Sequence, residues 1–117
     1  MNDTLEQLAK TLEDRRQKDP SESYVASLHH KGLNKILEKV GEESTEFLLA
    51  AKEFQQGENA GSASTRLDLV KESADVWFHM LVALSHLNIG HEDILKELER
   101  RFSQSGLEEK ASRTHKS

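Results

Sequence analysis

Four carboxylates fall into two pairs of matched spacing, Glu43-x-x-Glu46 and Glu72-x-x-Asp75. Three residues is close to one helical turn, so within a helix each pair stands one above the other and can grip a single hard cation. The stretch 47–71 is long enough for two helices to run antiparallel across a connector, which would bring both pairs to one place. Oxygen donors without Cys or an obligatory His favour Mg²⁺, with Mn²⁺ as substitute, over Zn²⁺ or copper, and Mg²⁺ shares its shell readily with phosphates. A di-iron bundle would need Glu-x-x-His pairs that are missing from these positions. Two blander readings stay open: a solvated helix face for Glu43 and Glu46, and salt bridges to Lys31, Lys35 or Lys39 for Glu72 and Asp75.

A phosphate-bearing ligand would have to be held by metal and by basic side chains, because no Walker-type loop is present and the six glycines never form a phosphate cradle. Lys31, Lys35 and Lys39 are four apart and form a ladder beside Glu42, Glu43 and Glu46 if one helix runs through them all. Salt bridges to Glu42 and Glu43 account equally well for that spacing. Lys110, Arg113 and Lys116 follow Glu109 without an intervening acid, so residues 103–117 read as a flexible basic tail able to fold over an anion. His79, four residues after Asp75, is either a hydrogen-bond partner of the site, a weak base, or a packed or solvent-facing histidine.

The elements that must position these residues are helical. Aromatic residues make up 5% of the chain and there is one Pro, a profile that suits an all-α bundle of four to five helices. A first helix is expected from an Asp3–Glu6 capping box to about Lys18, and a second start at Ser21 or Ser23, with a break at Gly32. A long helix over 33–56 carries Leu33, Ile36, Leu37, Val40, Phe47, Leu48 and Ala51 on one face, with Lys39, Glu43 and Glu46 on its flank and Glu42 on the far side. Gly57 to Thr65 reads as a loop. The next helix, about Arg66 to Leu87, has Leu67, Val70, Ala74, Trp77, Phe78, Leu81 and Leu84 as its main face and a narrow polar strip of Glu72, Asp75, His79 and His86. A last helix starts at a His91 cap and ends after Arg101.

At 117 residues the chain reads as one domain over 1–117. Leu49 opposite its helix's apolar face, and Leu69, Val76, Met80 and Leu87 beside the next one's, exceed what one neighbour covers, so a homodimer is expected. A net charge of -5 with 32% charged residues argues against nucleic acid and anionic membrane as partners. The absence of Cys excludes thiol chemistry and thiolate metal sites. No apolar run suits a signal peptide or a membrane span, so a cytoplasmic location is expected.

The run from Ser23-Tyr24 through Gly32-Leu33 to Glu46 resembles the opening of the phosphoribosyl-ATP pyrophosphatase family. Glu72 to Val82 resembles the family's second metal segment, and Glu97 to Arg113 its tail. The carboxylates alone match only the broader MazG-like superfamily of all-α nucleotide pyrophosphohydrolases; Ser23-Tyr24 and Gly106 to Arg113 select this member. The resemblance implies an ATP-like nucleotide substrate and Mg²⁺-dependent hydrolysis of phosphoribosyl-ATP to phosphoribosyl-AMP and pyrophosphate, the second step of histidine synthesis. It implies Glu43, Glu46, Glu72 and Asp75 as metal ligands, Glu42 as an accessory, and a free-standing enzyme without the cyclohydrolase to which relatives are sometimes fused. The competing readings are a housekeeping pyrophosphatase of free nucleoside triphosphates and a non-catalytic helical interaction module.

Overall fold

Capping chemistry sets most of the boundaries in the computed structural model, which describes residues 3–102. Five helices and no strand occur among the described residues: α1 (Thr4–Arg16), α2 (Tyr24–Lys31), α3 (Leu33–Gln56), α4 (Ala63–His86) and α5 (His91–Phe102). The fold is all-α. Asp3 stands at the N-cap of α1, but its carboxylate accepts from the Gln7 side chain at 3.1 Å and caps no backbone N–H, so the expected capping box is absent. α1 also stops two residues early, as the Lys18 amide donates to the Arg15 carbonyl in a closing turn. Ser23, not Ser21, caps α2, its hydroxyl accepting from the Ala26 amide at 3.2 Å, while Ser21 is tied into a turn by the Asp19 carboxylate.

Gly32 separates α2 from α3 with φ +100°, a conformation in the left-handed region that favours glycine. The connector between α3 and α4 is shorter than expected because Ser62 caps α4, accepting from the Thr65 amide at 3.1 Å, which draws Ala63–Thr65 into the helix. The low-complexity composition hides that cap. Gly61, at φ +74°, donates back to the Phe54 carbonyl at 2.8 Å and closes the turn. His91 is the first residue of α5 rather than its cap, and the Asp93 amide donates to the Gly90 carbonyl.

Leu12 of α1, Val25 and Leu28 of α2, Ile36 of α3, and Val82 and Ala83 of α4 form the core. It lies at one end of the α3–α4 hairpin, where α1 and α2 pack against it. The expected faces of the two long helices need correcting. On α4, Thr65, Leu69, Glu72, Val76, His79, Ala83 and His86 turn inward at every third or fourth position together with Val82; of the expected face Phe78 and Leu81 pack against the core and Leu84 is half-buried, whereas Leu67, Val70, Ala74 and Trp77 are exposed. On α3, Leu33, Ile36 and Val40 turn inward, but Leu37, Phe47 and Leu48 do not. Apolar residues cover more of α4 than one chain can shield, so burial preference alone does not choose the packed side. α5 buries none of its residues.

Candidate carboxylate metal centre

The α3–α4 hairpin positions the acids. Counting outward from its short connector brings Glu46 level with Glu72, and Glu43 level with Asp75. Glu43, Glu46 and Glu72 each offer an oxygen within 4.8 Å of the others'. Asp75 is outside that set, yet close enough for its charge to act on both Glu43 and Glu72. Two of the three expected neighbours of Glu43 are therefore brought together with it, and the fourth acid adjoins them.

Glu43 is 8% exposed, and its Oε2, like Oε2 of Glu72, is buried without a hydrogen-bond partner. Burial pushes the Glu43 carboxyl above its ordinary pKa, helped by the facing Glu46 and by Asp75. Glu72 is raised in the same way, first by burial and then by Glu46. Such a cluster is costly while ionised and uncompensated. A hard divalent cation fits it, because the donors are carboxylate oxygens and the two orphaned ones point to a missing partner.

Lys39 reaches into the same region, 3.1 Å from Glu42 and 3.8 Å from Glu43. The hydrogen bond from its ammonium to Glu42 raises its pKa and keeps it charged. Lys35 pairs with Glu38 at 3.5 Å. Lys31 ends α2 on the other side of Gly32, so the helix is not continuous and no three-lysine ladder forms. Glu42 is exposed and engaged by Lys39, apart from the three clustered acids.

Residues 5–102 match the model of the phosphoribosyl-ATP pyrophosphohydrolase family. The chain belongs to that family. Membership makes it a hydrolase of phosphoribosyl-ATP in histidine biosynthesis, with a small nucleotide as substrate. Lys110 and Arg113 lie beyond the matched span and outside the described residues, as does the whole expected tail over 103–117. No described helix is long and apolar enough to cross a membrane.

Two aromatic residues, Tyr24 and His79, adjoin the carboxylate cluster. His79 is buried, and its Nε2 lies 2.8 Å from the Tyr24 hydroxyl while its Nδ1 lies 2.8 Å from the Asp75 carbonyl. Of the readings of His79, the structure excludes a solvent-facing ring and shows a packed one, whose hydrogen bond toward the acids goes to the Asp75 backbone carbonyl. In sequence Tyr24 stands out only as half of the Ser-Tyr motif; nothing local tells of its contact across 55 residues. A cleft of about 900 Å³ between α1 and α5, lined by Glu6, Lys10, Leu12, His91 and Leu95, is elsewhere. It exists because α5 touches little besides α1, and it contains none of the clustered acids.

Proposed function

We infer that this chain cleaves the α–β phosphoanhydride of phosphoribosyl-ATP to give phosphoribosyl-AMP and pyrophosphate, with Mg²⁺, or Mn²⁺ in its place, held by Glu43, Glu46, Glu72 and Asp75. The family match supports the substrate. The observation that carries the metal assignment is the meeting of three carboxylates from two helices, two of them with buried oxygens that have no partner. When bound, such a cation neutralises charge on the phosphates and lowers the pKa of a coordinated water.

The chain's own residues prepare that chemistry. Burial and the neighbouring acids raise the pKa values of Glu43 and Glu72, so the ionised pair is costly in the bare chain and a cation held there would offset that cost. Glu42 holds the Lys39 ammonium beside Glu43, where it can meet a phosphate oxygen, so Glu42 acts on Lys39 more directly than on the metal. Lys31, Lys35, Lys110 and Arg113 are proposed from sequence alone to add to the attraction of the phosphates. Exposed Leu49, Leu67, Val70 and Trp77 support assembly as a homodimer.

Pyrophosphate release in the presence of Mg²⁺, measured with phosphoribosyl-ATP and with a panel of nucleoside triphosphates, tests the reading. Turnover confined to phosphoribosyl-ATP is expected. Broad triphosphate turnover would make the chain a general nucleotide pyrophosphatase, and no turnover of any would leave a helical interaction module.

A further inference from the structure

The hydrogen bonds around His79 fix its tautomer. A carbonyl only accepts, so Nδ1–H of His79 donates to the Asp75 carbonyl at 2.8 Å. With Nδ1 the donor, Nε2 meets the Tyr24 hydroxyl at 2.8 Å, and in a neutral ring it is the acceptor of that bond. Burial raises the pKa of Tyr24, against the opposing pull of Lys39, so its hydroxyl keeps the proton it donates.

Tyr24 is itself well held. It opens α2 immediately after the Ser23 cap, and its ring stacks on Phe78 with centroids 6.4 Å apart and meets His79 edge-on at 5.8 Å. The next residues of α2, Val25 and Ala26, are core residues. A chain of contacts thus runs from the core through Tyr24, itself 51% exposed, and His79 to the peptide of Asp75, one turn along α4.

The acids just beyond that point repel one another, and the seam there has no fully buried apolar side chain to hold it. Something must stop α4 from rolling away from α3 at the level of Glu43. We propose that Tyr24 and His79 form a latch that fixes the rotation of α4 at Asp75 and Glu72 against Glu43 and Glu46, so that divalent-cation affinity depends on a hydroxyl outside the set of clustered carboxylates. Tyr24 and His79 are positioning residues in this scheme. Partners that orient ligands from outside the ligand set are known to govern affinity in this way. The inference rests on the carboxylates being the metal site.

The test is Mn²⁺ titration by calorimetry of the full chain as wild type, Tyr24→Phe, His79→Gln, the double variant and Glu46→Gln, with metal-free melting temperature read in parallel. Tyr24→Phe keeps the ring stack and removes one hydrogen bond, for which roughly three- to tenfold weaker Mn²⁺ binding is expected. The double variant should bind no more weakly than the worse single one, as the two residues act through one contact. A Tyr24→Phe protein that melts lower yet binds Mn²⁺ with wild-type affinity would overturn the latch and leave Tyr24 a purely structural residue. Wild-type binding that survives Glu46→Gln unchanged would instead overturn the metal site, and the latch with it.

Discussion

At the end of the α3–α4 hairpin where α1 and α2 pack, Ile36 and Val82 are fully buried among Leu12, Val25 and Leu28. Two turns along α3 the same seam encloses Glu43 and Glu72, while Leu48, Leu49, Leu67 and Val70 face outward. The first region follows the ordinary rule that apolar surface leaves water. The second inverts it, which a lone chain does at a cost on both faces. The inner cost is offset if a cation joins the carboxylates, and the outer one if a second copy covers the leucines. The proposed cation and the proposed second copy both rest on this departure, to which exposed Leu37, Met80 and Leu87 add outside the acidic end of the hairpin.

The largest effect should come from the inverted region. Glu46→Gln is expected to lower Mg²⁺-dependent pyrophosphate release by about a thousandfold or more, with helix content by circular dichroism unchanged. Retention of activity in a Glu46→Gln, Asp75→Asn double variant would remove these acids from the site. In the ordinary region, Ile36→Ala should cost about 2–5 kcal/mol in urea unfolding. Leu49→Ala, at 66% exposure, should cost less than about 0.5 kcal/mol under conditions where the chain is monomeric. Equal costs at the two positions would erase the contrast between the regions.

Charging the outer face sharpens the comparison further. Trp77→Arg, at a position 61% exposed in one chain, is expected to weaken self-association by about a hundredfold and yield monomers in sedimentation at micromolar concentration. A wild-type protein already monomeric there would contradict the dimer. The smallest effect concerns His29, whose Nδ1 lies 2.9 Å from Nδ1 of His86. Burial, then Arg16 and His86, hold its pKa below the ordinary histidine value, against a weaker pull from Glu13. Its folded pKa is depressed, so its contribution to stability is present above about pH 6.5 and is lost as pH falls through the lower folded value. The urea midpoint should decline modestly over that range, and His29→Asn should flatten the decline.

Much of this was legible in the chain. The all-α class, the break at Gly32 and the pairing of Glu43 and Glu46 with Glu72 follow from spacing, because i,i+3 pairs on two helices joined by a short connector have few ways to meet. The packed side of α4 was not legible. Leu67, Val70 and Trp77 look more buried in sequence than Glu72 and His79, since periodicity reports what prefers to leave water and not whether a neighbour is at hand. The Tyr24–His79 contact was hidden for a related reason: it joins elements 55 residues apart, and its strength lies in a tautomer that the surrounding fold imposes. Asp3 and Ser62 show the limit on a smaller scale, as both are capable caps but only Ser62 finds a backbone amide.

The central claim is that the buried acids await a cation, and the melting temperature of the metal-free chain reads it most directly. Glu43 and Glu72 have folded pKa values above the ordinary one, so the stability they contribute is intact below about pH 4.3 and is lost as pH rises through the raised values. At pH 7 without metal, Glu43→Gln should therefore melt above wild type. Added Mg²⁺ should raise the wild type and leave Glu43→Gln nearly unmoved, closing or reversing the gap. A wild-type melting temperature indifferent to Mg²⁺, together with a Glu43→Gln variant less stable than wild type at pH 7, would contradict the account.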